Sequence, residues 1–504
     1  MTSFDRLNKH LVSISLVTIL IVATILRFYR LNSGLWFDEI VTYVKYARLP
    51  FLTIVTTFDS ENQHFLYSIL AHLSLLIFGD SNWALRLPAV IFGVGSIWAI
   101  FLFGREIRND TEALLASALL AFSYHHVWFS QNARGYSGLL FWGLLSSWLF
   151  ARGLRENKIK TWVFFGITVA LGVYTHLTMI FLIIGQLVVY LFAFIIKQRE
   201  YRPTRWVGLW VGFGVAGLLT LLLFAPVYTQ ILGTVGGSEV SVVSSWKNPL
   251  WTAYQILQGL EIGFSGWVFA IGALILFGAG IISYARSRPL ILGLFFIPSL
   301  VGALVVIAEG HHLWPRFFFF EIGFGALIII RGVMVLGQMI TRLWSSFSDK
   351  LKFIPSAKRQ LDFGLILCVG MILVSVLSVP FAYGPKQDYQ GAYDFVKAHE
   401  QPGDAVVTVD LASFVFQDLY QANWTDVTSL NQLNKIRNQT NRTWLVYTFS
   451  TVLESVYPGI MTAIQNDFTV EKEFRGTVGD GMIYVCLASK PSVAALGNRQ
   501  LSAP

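Results

Sequence analysis

Long apolar runs alternate with short basic clusters along this chain, and only its last quarter breaks the rhythm. The runs lie near 11–29, 65–78, 84–103, 112–129, 137–151, 161–175, 177–196, 206–227, 266–284, 289–308, 317–341 and 361–380. A predominantly apolar stretch of about 20 residues crosses a bilayer as a helix, whereas outer-membrane barrels show short alternating segments. The pattern predicts a polytopic α-helical membrane protein. The basic clusters orient it: Arg105/Arg108, Arg152/Arg155/Lys158/Lys160, Lys197/Arg199/Arg202/Arg205, Arg286/Arg288 and Lys350/Lys352/Lys358/Arg359 join Arg6 and Lys9 in the cytoplasm. The parity works only if one run between Tyr29 and Arg105 fails to cross. Residues 65–78 suit that role, being short and containing His72. About eleven spans result, with twelve or thirteen as alternatives, the N-terminus cytoplasmic and the C-terminus outside. The first run reads as a retained anchor, since no small-residue cleavage site follows it.

From Tyr383 the composition becomes that of a soluble domain. Helices are expected at 389–400, 413–421 and 450–464, and strands at 405–409, 443–448, 467–473 and 482–487. This alternation predicts a small extracytoplasmic α/β domain at 383–490, after a transmembrane domain at 1–382 and before a disordered tail at 491–504. No Gly-rich phosphate loop follows the strands, which argues against nucleotide binding. Asn-x-Thr sequons at Asn423, Asn438 and Asn441 matter only in a glycosylating compartment.

Composition supports the membrane reading. Of 504 residues 55% are hydrophobic, 15% aromatic and only 13% charged, unlike a soluble protein. The net charge of +8 sits in the interhelical clusters, so it carries orientation and gives no reason to expect nucleic acid. Cys368 lies in an apolar run and Cys486 in the polar tail, so no structural disulfide is expected.

The topology puts 30–83, 130–136, 228–265 and 309–316 on the outer side, and the unusual polar residues lie there. Asp38 and Glu39 follow the first run within Leu35-Trp36-Phe37-Asp38-Glu39. Adjacent helical residues point about 100° apart, so one of the two faces a given cavity. Asp38 is the better general base, and Glu39 is a partner or a charge for the helix N-terminus. Asp59, Glu61 and His64 crowd the next segment, where they could bind a sugar or a divalent cation, although no structural-metal spacing occurs. Arg134 runs against the positive-inside bias. A phosphate held by its planar fork would compensate it, and so would snorkelling to headgroups. Arg316 and Arg86 pose the same problem. Lys247 lies in the long outer loop 228–265, which reads as an interfacial flap carrying Trp246, Trp251 and Gly236-Gly237. His176 interrupts an apolar stretch at its outer turn and reads as structural. Arg331, deep in the run 317–341, has no partner evident in the sequence.

Several motifs, in order, resemble the GT-C membrane glycosyltransferases, in the branch related to protein O-mannosyltransferases and the lipid A aminoarabinose transferase. They are WFDE at 36–39, NQHFLYSIL at 62–70, WALRLP at 83–88 and SQNARGY at 130–136, with YTH at 174–176 and PRFFF at 315–319 as weaker echoes. Phe65-Leu66 stand where the family has two prolines after the histidine. The resemblance implies an inverting transferase of the plasma (inner) membrane whose donor is a sugar on a polyprenyl phosphate. It implies that Asp38, with Glu39 beside it, activates the acceptor. Arg134, by motif position, and Arg316, by position and charge, become candidate contacts to the donor phosphate, joined by Lys247 and Arg86. Glu61, His64, Tyr67 and Tyr136 are the candidates for sugar or acceptor. No cofactor is required, and a divalent cation held by Asp59, Glu61 and His64 is allowed. The acceptor, whether protein hydroxyl, lipid or glycan, is not readable. The rival class is a transporter or flippase of lipid-linked saccharides, which would ordinarily show inverted repeats and broken mid-bilayer helices.

Overall fold

The computed structural model describes residues 3–195, 206–235, 243, 246, 248–260, 267–351 and 362–489. The expected tail at 491–504 falls outside them. The chain divides into two compact units: residues 1–31, 46–239 and 245–383 form a helical unit, and residues 32–45, 240–244 and 384–504 form the second.

In the helical unit, seven helices among the described residues are long and apolar enough to cross a membrane. They are His10–Phe28, Asn82–Ile107, Gly208–Thr234, Ala270–Ser287, Pro289–Ala308, Glu321–Trp344 and Phe363–Tyr383. Phe65–Phe78, Ile159–Thr175 and Met179–Ile195 are shorter apolar helices. Along the first helix Leu11, Ile14, Ile21, Ile25 and Phe28 are exposed at helical spacing while Ala23 and Arg27 are buried. An exposed apolar face of this kind is suited to lipid. The apolar run at 112–129 is not one helix. It breaks into Asp110–Ala121 and Tyr124–Ser130, because Ser123 caps the second piece by accepting the N–H of His126.

Small residues let helices of this unit close together. A Cβ on Gly280 would fall 2.1 Å from the Ile328 carbonyl oxygen, and one on Gly332 would fall 1.8 Å from that of Leu276. The helices Trp267–Ser287 and Glu321–Leu351 therefore touch backbone to backbone. The buried charges are bonded too. Arg331 donates to Glu112 at 2.9 Å and to Ser283 at 2.8 Å, which supplies the partner the sequence did not name. Arg27 donates to the Ala23 carbonyl at 2.9 Å and to His126 Nδ1 at 2.6 Å, and the other nitrogen of that ring meets Ser96 Oγ at 2.8 Å.

The second unit is built on a five-stranded sheet in the order β2-β1-β3-β5-β4, with β1 Ala405–Thr408, β2 Thr425–Asp426, β3 Arg442–Thr448, β4 Thr469–Phe474 and β5 Ile483–Ser489. β1 runs parallel to β2 and β3, while β5 is antiparallel to β3 and β4. β3 is buried along nearly its whole length, as a central strand covered on both faces should be. Val407, Leu445, Leu453, Ile460, Ile464 and Cys486 form the core. The helix expected over 450–464 is two helices, Ser450–Val456 and Pro458–Asp467, because Pro458 starts the second at a position that needs no N–H. The helix Leu430–Gln439 carries its apolar residues Leu430, Leu433 and Ile436 at helical spacing within an otherwise polar segment, and Ile436 packs against the core. It is held by a Ser429 cap and the single buried residue Leu433. Residues 32–45 belong to this unit and contribute the short helix Phe37–Thr42.

Candidate active site

Loop ends remote in sequence assemble a polar cluster within the helical unit. His64 precedes the helix Phe65–Phe78, Gly135 precedes Tyr136–Glu156, and His176 follows Ile159–Thr175. The two imidazole rings lie 4.4 Å apart, and Tyr136 packs 5.7 Å from His64 and 4.8 Å from His176. Gly135 makes this approach possible. A Cβ there would sit 2.5 Å from the Thr175 carbonyl oxygen and 3.1 Å from the His64 ring. With no side chain in the way, its N–H donates to His64 Nδ1 at 2.9 Å.

Those bonds set the tautomers. His64 Nδ1 accepts, so the neutral ring carries its hydrogen on Nε2. His176 Nδ1 accepts from the Thr178 N–H at 3.3 Å and lies 2.9 Å from the Thr178 hydroxyl. Its Nε2 is buried with no hydrogen-bond partner among the described residues. Burial holds both rings well below the usual histidine range, and the positive charges of Arg134 and Arg316 add to it, with His176 brought down to about 3. Both rings are therefore neutral N–H donors at physiological pH.

Arg134 is buried. It donates from Nη1 to the Asn62 carbonyl at 3.1 Å and lies 5.7 Å over the Tyr136 ring. Arg316 stacks 4.9 Å over Trp314, whose ring is 4.9 Å from Trp246 and 5.7 Å from Trp251. The other candidates divide. Arg86 is buried and donates to the Leu31 carbonyl at 2.8 Å, and the Tyr67 hydroxyl donates to the Leu85 carbonyl at 2.7 Å, so both make bonds that hold chain segments together. Glu61 is exposed. Lys247 lies outside the described residues.

The cation set Asp59, Glu61 and His64 is not assembled. Among the described residues no three His, Cys, Asp or Glu side chains gather as metal ligands. Asp59 accepts the Tyr46 hydroxyl and His64 Nδ1 is taken by Gly135, so these groups do not fit a shared cation.

The acidic pair lies in the second unit. Glu39 is fully buried, and its Oε2 accepts the N–H of Trp36 at 3.3 Å, capping its own helix. Asp38 is half-buried beside it. Burial, with the Asp38 carboxylate adding to it, pushes the phenol of Tyr389 up. Of the two acids, Asp38 is the one whose carboxylate is not spent on the Trp36 cap.

Residues 62–229 match the family model described as dolichyl-phosphate-mannose-protein mannosyltransferase. A candidate mannosyltransferase of Bacillus subtilis (strain 168), YkcB, is 25% identical over 170 residues, which are 30% of this chain and 22% of that protein. The undecaprenyl phosphate-alpha-4-amino-4-deoxy-L-arabinose arabinosyl transferase of Pseudomonas aeruginosa (strain UCBPP-PA14) is 25% identical over 211 residues, 38% of this chain and 35% of that one. The chain thus aligns with well under half the length of either relative. In fold it is similar to ArnT from Cupriavidus metallidurans bound to undecaprenyl phosphate, with a TM-score of 0.51 at 14% identity over 93% of this chain and 97% of that one. It is also similar to the oligosaccharyltransferase AglB from Archaeoglobus fulgidus in complex with an inhibitory peptide and a dolichol-phosphate, with a TM-score of 0.55 at 13% identity over 99% and 75%.

The stretch matched by the family model includes Asn62, His64, Arg134, Tyr136 and His176, while Asp38 and Arg316 lie outside it. His176, which the sequence suggested was structural, is a member of the cluster. The available signal was the YTH echo at 174–176, weak alone and informative only beside the other motifs.

Proposed function

We propose that the chain is an inverting glycosyltransferase that moves a sugar from a polyprenyl-phosphate donor to an extracytoplasmic acceptor. In this reading it is a multi-pass protein of the plasma (inner) membrane with a cytoplasmic N-terminus and an outward-facing α/β unit. Asp38 takes the proton of the acceptor hydroxyl or amine as that atom bonds to the anomeric carbon. The bond from the anomeric carbon to the phosphate oxygen breaks on the opposite face, and its electron pair leaves with polyprenyl phosphate. That anion is stable, so no acid is needed to protonate it. Arg134 and Arg316 balance the charge that grows on the phosphate, and the neutral N–H of His176 adds a donor without adding charge. Binding energy from the lipid tail holds the anomeric carbon for attack.

The observation that carries this reading is the cluster itself. The stretch matching the mannosyltransferase family model is where His64, Arg134, Tyr136 and His176 come together. The test is to incubate the purified protein with a panel of labelled polyprenyl-phosphate sugars, mannose and 4-amino-4-deoxy-arabinose among them, and candidate acceptors. Acceptor-dependent release of free polyprenyl phosphate is the expected result. Vectorial movement of an intact lipid-linked sugar, with no bond cleaved, would replace the enzyme with a carrier.

A further inference from the structure

In open α/β sheets, the space beyond the carboxyl ends of parallel strands is where ligands ordinarily bind. Here the chain's own acidic segment is held by groups at those ends. Phe37, the first residue of the acidic helix, packs 6.1 Å from Phe414, in the helix that follows β1, and 5.8 Å from Phe449, the residue directly after β3. Phe449 and Asp410 both have positive φ, 52° and 54°, with only Phe449 in the left-handed helical region. Each costs on the order of 1–3 kcal/mol and persists only where the surroundings enforce it.

One side chain ties this arrangement together. Gln387 is buried, and its Oε1 accepts the Phe37 N–H at 3.0 Å. Its Nε2 donates to Thr448 Oγ1 at the end of β3 and to the Gly481 carbonyl before β5, each at 3.2 Å. The helix Phe37–Thr42 runs on without a break into a π-helical turn at Tyr43–Ala47. Asp38 lies in its first turn, next to Phe37, so the bond from Gln387 and the two ring contacts act directly on the turn that carries the carboxylate.

Resting on the assignment of Asp38 as base, we propose that Gln387 is a positioning residue for the transfer reaction. Through its amide the α/β unit fixes the direction in which Asp38 presents its carboxylate. The unit then acts as the mount of the base, in addition to any contact it makes with acceptor.

The test uses the full-length protein and three substitutions. Gln387→Met keeps the volume and removes all three bonds. Gln387→Glu keeps the acceptor for Phe37 N–H, and when protonated it also restores a donor. Phe37→Leu removes the ring contacts and leaves the backbone N–H in place. Gln387→Met is expected to speed amide exchange of residues 36–42 about tenfold and to lower kcat about 10- to 100-fold, as small misplacements of a reacting group do. Binding of undecaprenyl phosphate should stay within about twofold of wild type. Gln387→Glu should recover activity as pH falls, and Phe37→Leu should lose only about threefold, since the N–H bond survives. Wild-type exchange and kcat in Gln387→Met would overturn the inference. So would a parallel loss of undecaprenyl phosphate binding, which would indicate a role in folding alone. Asp38→Asn separates the two ideas. If it is inactive while Gln387→Met is normal, the base stands and the positioning role falls; if it turns over normally, both fall.

Discussion

The two units hold their polar groups by different means. The helical unit gathers His64, Arg134, Tyr136 and His176 from loop ends, using side-chain bonds to backbone and a glycine that leaves room for them. Its histidines are neutral donors beneath positive charge. The α/β unit holds a short acidic helix by its first backbone N–H and one aromatic ring. The contrast follows from the burdens. Charges at helix ends near a membrane must be compensated side chain by side chain, whereas Asp38, in its proposed role as base, would need direction more than compensation, and a rigid sheet is suited to give it.

That difference predicts a graded response to mutation. Asp38→Asn should lower turnover about 1,000-fold, the range for loss of a positioned general base, with undecaprenyl phosphate binding unchanged in a direct assay. Arg134→Lys should lower turnover about 100-fold, since a point charge does not reproduce the planar fork at a developing phosphate charge. Unlike the change at Asp38, it should also weaken undecaprenyl phosphate binding, by about tenfold. If Asp38→Asn weakened lipid binding and Arg134→Lys did not, the proposed division of labour would be reversed.

Much of this architecture was readable from residue order. Runs such as 289–308 became helices with nearly the same ends, because Pro289 opens that helix and its apolar content defines the length. Strands β1 and β3 were legible as β-branched and aromatic runs with turn residues on one side. The breaks at Ser123 and Pro458 were less visible, since each is a single capping residue inside a run of otherwise suitable composition. The site was legible only in pieces. Each motif could be seen, but no periodicity relates His64 to His176, so their contact at 4.4 Å had no signal. The bond from Phe37 to Gln387 spans 350 positions and pairs a backbone N–H, which every residue but proline has, with a common amide.

The histidine pair makes a pH prediction on stability. In the unfolded chain these rings titrate near 6.5, and in the folded protein burial and the neighbouring Arg134 and Arg316 hold them lower, His176 at about 3. Below pH 6.5 the unfolded state binds protons that the folded state refuses. The stability is thus fully present above that pH and is lost as pH falls toward 3. At pH 5 each histidine should have withdrawn about 2 kcal/mol. Denaturant titrations in detergent at pH 7.5 and pH 5 measure this, and His176→Gln should show about half the decline. An unchanged decline in that variant would mean that other groups carry the acid sensitivity.

The smallest expected effect is the one that best isolates the role of the sheet. Tyr447 on β3 and Tyr484 on β5 are register partners, stacked 4.8 Å apart on the same face. Replacing Tyr484 with leucine removes that ring pair and leaves the backbone ladder, at a cost of about 1 kcal/mol. For a unit of this size that is about 3–5 °C in the melting transition. The sheet remains native at assay temperature, so the mount for Phe37 is unchanged and kcat should stay within about twofold of wild type. Gln387→Met also destabilises, since it leaves buried groups unpaired, but its loss of turnover is expected to exceed by far what the same fall in melting costs in Tyr484→Leu. If instead kcat tracked melting temperature across the two variants, the α/β unit would influence transfer through its stability alone, and the two units would differ in architecture without differing in function.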